Sequence, residues 1–196
     1  MKSSRVTPVI WNGGYLLKIP ALKIGKLEAK MPIIQGGMAI RLSTSRLAAA
    51  VANEGGIGLI AASGMGHDEL RTEIRMAREL TKNKGIIGIN CMVAARDFNG
   101  LVTTACEEGI DLVVAGAGFS RDMFAIGKQY GVEIVPIVST AKLAVLAEKL
   151  GASAIVVEGT EAGGHLGTQK SIKEILPEVL AAVKIPVVAA GGAICG

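Results

Sequence analysis

Seven short apolar runs, at residues 32–35, 57–61, 86–91, 111–115, 132–137, 154–157 and 186–190, recur along the chain with helix-patterned segments between them. Most are apolar at successive positions rather than at every second one. A run of that kind is covered on both faces, as strands of a buried parallel sheet are. The apolar content fits: 50% of the residues are hydrophobic but only 3% are aromatic, so the runs are built from Ala, Ile, Val and Leu.

Between the runs the apolar period changes to that of a helix. Leu143, Leu146 and Leu150 follow Ser139 and Thr140, either of which can cap. Leu70, Ile74, Ala77 and Leu80 follow Asp68 in the same way. Residues 43–53 and 120–130 read as further helices. Within 171–183, Pro177 predicts a helix that begins or kinks there, because proline is tolerated in a first turn. Gly55, Gly85, Gly109, Gly131 and Gly151 stand where helices should close. Strands then start every ~20–30 residues, the size of a βα unit, and strand alternating with helix throughout is the α/β class.

A doubly wound sheet announces itself by a phosphate fingerprint after its first strand, and neither GxGxxG nor a Walker A motif is present. A barrel places small or polar loops after many strands on one face, as here: QGGM at 35–38, NCM at 90–92, GAG at 116–118, ST at 139–140, EG at 158–159 and GG at 191–192. The expectation is a TIM (β/α)8 barrel over residues 31–196 that stops after strand seven. An N-terminal extension, residues 1–30, precedes it, with a weak β-like stretch at 15–19 closing the barrel bottom.

Several function classes are excluded. The net charge is +4, from 21 basic and 17 acidic residues, with no dense basic run and few aromatics, which argues against nucleic acid. No stretch reaches the ~18 apolar residues of a membrane span, and the first residues lack a signal-peptide core. Cys91, Cys106 and Cys195 form no CxxC and read as reduced core thiols of a cytoplasmic protein. No clustered Cys and His, HExxH or Asp-rich loop suggests a metal, and no GxSxG suggests a serine hydrolase.

The sharpest candidate is the stretch EGTEAGGHLG at 158–167, which follows strand six on the face where barrel active sites form. Its glycines, Gly164 among them, allow close backbone approach to a ligand, and His165 can act as a base near neutral pH. Gly36 and Gly37 after strand one, Gly118 after strand four, and Gly191 and Gly192 after strand seven can expose backbone N–H groups to a phosphate or a flat ring. A single Gly pair is most often only a tight turn; several on one face point to a shared ligand. Asn90 and Gln35, polar residues ending apolar strands, could bond a ring edge or serve as turn residues. His67 reads as a helix-start residue, and Glu158 with Glu161 as solvated or salt-bridged loop charges.

These stretches together resemble the nitronate monooxygenase family and its relative, the FMN-dependent enoyl-acyl-carrier-protein reductase. The matching segments are PIIQGGM at 32–38, LAAAV at 47–51 with GGIG at 55–58, GIN at 88–90, AGAG at 115–118, EG through AGGH at 158–165, and PVVAAGG at 186–192. They occur in the family's order over about residues 20–196. The resemblance implies a TIM barrel with FMN across the C-terminal strand ends. Gly36, Gly37 and Met38 would lie beside the isoalloxazine, Asn90 on its pyrimidine side, and Gly164, Gly191 and Gly192 near the ribityl phosphate. His165 would be the base that takes the α-proton of a nitroalkane. The nitronate and O2 would then give a carbonyl compound and nitrite. The enoyl reductase alternative would use NAD(P)H on an enoyl thioester. A third alternative is a non-catalytic remnant that binds a phosphate ligand or a partner through an open sheet edge. The resemblance also implies an eighth strand with a further Gly-rich loop, not found in these residues, so weak FMN binding is expected. The small-molecule substrate is either nitronate or thioester, and a homodimer is among the assemblies allowed.

Overall fold

A computed structural model describes residues 6–10, 16–38, 41–164 and 168–192. Two antiparallel hairpins come first: β1 (Val6–Ile10) with β2 (Leu16–Pro20), and β3 (Leu22–Ile24) with β4 (Leu27–Ala29). The βα units follow as α1 (Ser45–Asn53), β5 (Ile57–Ala61), α2 (His67–Leu80), β6 (Ile86–Met92), α3 (Phe98–Glu107), β7 (Leu112–Gly116), α4 (Arg121–Tyr130), β8 (Glu133–Val138), α5 (Ala141–Leu150), β9 (Ile155–Glu158), α6 (Ile172–Ala182) and β10 (Val187–Ala190). The six strands from β5 to β10 lie side by side in sequence order, all parallel, and curl into a half-barrel with the helices outside. This is the α/β barrel architecture expected from the sequence.

Side chains alternate across the curl. Ile57, Leu59, Leu112, Val114, Val135, Ala154 and Val156 pack together inside the barrel. Ile60, Ile87, Ile89, Val113, Ile134, Ile155 and Val157 face outward and meet the helices. Ile24 and Ala29 of the β3–β4 hairpin join the inner cluster, 0% and 2% exposed. The hairpin is fastened at the start of β8, where Lys26 N–H donates to Glu133 Oε1 at 3.0 Å, so it stoppers the end of the barrel where the strands begin.

Several local expectations are corrected. Residues 32–35 are not a full strand; only Ile34 bridges Ile57. The run does lie along β5: Ile57 N–H donates to Ile33 O and Gln35 N–H to Ile57 O, both at 2.9 Å. The next link passes to a side chain, with Leu59 N–H donating to Gln35 Oε1 at 3.1 Å, because the backbone turns away at Gly36. The first barrel helix starts at Ser45, two residues later than its sequence pattern suggests. α6 begins at Ile172, well before Pro177, because Ser171 and Glu174 form a reciprocal capping box and Ile175 and Val179 are fully buried. At the end of α2 the left-handed residues are Lys82 and Asn83 rather than Gly85. On α5 the closest contact with the sheet is made by Ala144 and Ala147, both 0% exposed, and Leu143 and Leu146 lie on the flank at 36% and 40%.

Cys91 and Cys106 are free and buried, and burial pushes both thiols up to about 11, so neither carries thiolate at neutral pH. Cys195 lies outside the described residues. Among the described residues no helix is long and apolar enough to cross a membrane, and no group of three or more His, Cys, Asp or Glu could hold a metal ion.

Candidate functional site

The loops that follow β5 to β10 open on one rim, at the C-terminal strand ends, and the glycines singled out in the sequence lie there. At Gly36, Gly118 and Gly164 an added Cβ would meet nothing within 4 Å, so these positions border open space. Gly37 is different: an added Cβ would fall 2.1 Å from Asn90 Cβ. Glycine is what lets the 36–38 backbone lie against the Asn90 side chain, and Asn90 Nδ2 donates to Gly37 O at 2.9 Å. The other amide atom, Asn90 Oδ1, is buried with no hydrogen-bond partner among the described residues. An unpartnered buried acceptor costs about 1–3 kcal/mol and is retained where something supplies the donor.

The opposite side of the rim is built by the turn after β10 and the loop after β9. Gly191 and Gly192 have φ of +92° and +71°, in the left-handed region that favours glycine. An added Cβ on Gly191 would fall 2.5 Å from Ala162 N, so the two segments touch backbone to backbone. Glu161 Oε2 accepts Ile172 N–H at 2.9 Å and so closes the loop onto the start of α6. His165 lies outside the described residues.

Three polar residues of the rim have roles that their sequence pattern did not show. Gln35 spends its amide internally: besides Leu59 N–H, it donates from Nε2 to Gly36 O at 2.6 Å and to Ser43 Oγ at 3.1 Å. Ser43, read from sequence only as the start of a helix, is 0% exposed and turned toward the 35–38 loop. Glu158 ends β9 on the inward parity, since Val156 is inside and Ile155 and Val157 are outside. Burial pushes its carboxyl above the usual range. Alternation counted along β9 could have placed Glu158 inside; nothing in the sequence distinguishes Ser43 from Thr44 or Ser45.

His67 takes no part in the rim. It is the first residue of α2, with Nδ1 2.7 Å from Thr104 Oγ1 and Nε2 2.9 Å from Asp97 Oδ2, and it ties α2 to the start of α3. The larger described cleft, ≈ 490 Å³, lies at the opposite end of the barrel, lined by Lys30, Gly55, Thr81, Lys84 and Ile86 among others. It contains none of the rim residues, and barrel chemistry belongs to the C-terminal strand ends.

The family model for nitronate monooxygenase matches residues 21–196. A curated relative from Rhodococcus jostii, (3aS,4S,5R,7aS)-5-hydroxy-7a-methyl-1-oxo-octahydro-1H-indene-4-carboxyl-CoA dehydrogenase, is 35% identical over 161 residues, which cover 82% of this chain and 44% of the relative. Among solved structures, FabK from Thermotoga maritima has a TM-score of 0.78 at 35% identity, covering 82% of this chain and 50% of that one. Nitroalkane oxidase from Streptomyces ansochromogenes has a TM-score of 0.74 at 26% identity, covering 82% and 58%. The chain thus spans about half the length of the relatives it matches. With the family model matched from the β3–β4 hairpin to the last residue, over a parallel half-barrel, this chain belongs to the nitronate monooxygenase family.

Proposed function

We propose that this chain serves a flavin-dependent oxidoreductase, with FMN held on the glycine-lined rim by Gly36, Gly37, Met38, Asn90, Gly118, Gly164, Gly191 and Gly192. The observation that carries this reading is the buried, unpartnered Asn90 Oδ1 beside that rim, an acceptor suited to a ring N–H of the flavin. Open space at Gly36, Gly118 and Gly164 leaves room for a flat ring and its phosphate tail. Gln35 supports the site from behind rather than touching the cofactor, since its amide is already engaged.

Bound there, the flavin would supply the two-electron chemistry with substrate and dioxygen. The chain's own contribution is placement and proton handling. In this reading His165 accepts the α-proton of a nitroalkane at an imidazole nitrogen. Nitronate oxidation to a carbonyl compound and nitrite is the reading supported by the matched family and by the nitroalkane oxidase neighbour. A second reading, an NAD(P)H-dependent reductase of an enoyl thioester, is supported by the 35% identity to a relative whose name specifies a carboxyl-CoA substrate.

The two separate in one anaerobic experiment on FMN-loaded protein. An alkyl nitronate bleaches the visible flavin band if the first reading holds, and NADPH bleaches it if the second does. Protein that stays colourless after incubation with FMN overturns both. The phosphate side is tested by Gly191→Val. Its side chain would overlap the Ala162 backbone at a φ of +92°, so the two loops must part. We expect stability to fall by about 1–3 kcal/mol and FMN to wash out on gel filtration; retention equal to that of the unaltered protein would remove Gly191 from the site.

A further inference from the structure

We propose that Ser43 is a positioning residue of the rim, fixing the 35–38 loop so that the Gly37 N–H is the backbone donor offered to the cofactor; this rests on the reading of the rim as a flavin site. A serine hydroxyl has one donor and two acceptor positions. Ser43 uses all three on this loop: Oγ accepts Met38 N–H at 3.0 Å and Gln35 Nε2 at 3.1 Å, and donates to Gly36 O at 3.4 Å. Ser43 is 0% exposed, so these bonds are made away from bulk solvent. Its own backbone is anchored as well, with Ala61 N–H at the end of β5 donating to Ser43 O at 2.8 Å.

The consequence follows from peptide geometry. In a trans peptide the C=O of one residue and the N–H of the next point in opposite directions, and the chain has no cis peptide among its described residues. Gly36 O is drawn toward Ser43 and Gln35, so the Gly37 N–H points away from them. Gly37 O is held by Asn90, and Met38 N–H by Ser43. Among the described residues no acceptor stands against the Gly37 N–H. Between Gly36 and Met38 two carbonyls and the Met38 N–H are committed, the Gly36 and Gly37 N–H groups have no acceptor among the described residues, and of these two the Gly37 N–H is the one whose direction Ser43 sets, as a donor for a flavin ring acceptor.

The test compares Ser43→Ala and Ser43→Thr with the unaltered protein, by backbone hydrogen exchange of the 36–38 amides without cofactor and by FMN titration. Melting curves and α2 exchange serve as controls for global stability. In Ser43→Ala the Met38 amide, which loses its acceptor, exchanges about five- to tenfold faster and the FMN dissociation constant rises by about the same factor, with α2 exchange unchanged; Ser43→Thr, which keeps the hydroxyl, restores both. If Ser43→Ala does not fold, Ser43→Cys keeps the volume, weakens the bonds and carries the same two measurements. Unchanged exchange at Met38 overturns the proposal. So does faster exchange with an unchanged dissociation constant, which would make Ser43 merely structural. Should the unaltered protein take up no FMN, the proposed function and the cofactor half of this inference both fall. The exchange result then still decides whether Ser43 orders the loop.

Discussion

In His165→Ala, turnover of a neutral nitroalkane should fall by about 10²–10⁴-fold, the usual worth of a positioned general base. Oxidation of a preformed nitronate should change only a few-fold, because its α-proton is already gone. FMN content should stay the same, since the residues proposed to hold the cofactor are backbone groups and Asn90. The measurement is kcat/KM for both substrates, each over a range of pH. For the neutral substrate, the ascending limb that reports the free base should disappear in the variant. Equal losses on both substrates would make His165 a binding or structural residue. No loss on either would take it out of the chemistry.

Gly58→Ala should be the most damaging single-methyl addition in the sheet. Gly58 is the second residue of β5, facing α1, and an added Cβ would fall 1.9 Å from Ala48 O and 2.6 Å from Ala48 Cα. No real contact is that short, and the obstacle is backbone, so no rotamer change relieves it. α1 must lift from the sheet, and with it the small buried faces of Ala48, Ala49 and Ala52 lose their partner. A cost of about 3 kcal/mol is expected, at the upper end for overpacking. Urea or thermal unfolding of the purified variant would measure it. By contrast, Gly109→Ala at the end of α3 adds a methyl that meets nothing within 4 Å, so only its φ of +73° opposes it. A Gly58→Ala protein as stable as Gly109→Ala would contradict the close α1–β5 approach.

The strands were legible because a buried parallel strand leaves a plain trace: an unbroken aliphatic run, as in IGLIA of β5. Helices with clean caps were legible too, α4 after Ser120 and α5 after Thr140, whose side chains accept the N–H groups of Met123 and Leu143. α3 was not. Its sequence FNGLVTTACE carries a glycine and two threonines, weak helix formers, and the helix depends on the Asp97 cap and on buried Leu101, Val102 and Ala105. Tertiary contact overrode local preference there, as it did at Pro177. The leucines of α5 misled for another reason: helix and sheet approach most closely where side chains are smallest, so alanines hold the contact line and the leucines flank it. At the rim, glycines and Asn90 stood out because their residue types are odd at a strand end. Ser43 did not, since its importance comes from which way it turns, and a serine before a helix is ordinary.

The stopper formed by Ile24 and Ala29 has a corollary for access. With its floor shut, the half-barrel can be entered over the rim or from the side between β5 and β10, and not from below. Under the proposed function, whatever binds at the rim leaves by the way it came rather than through the floor.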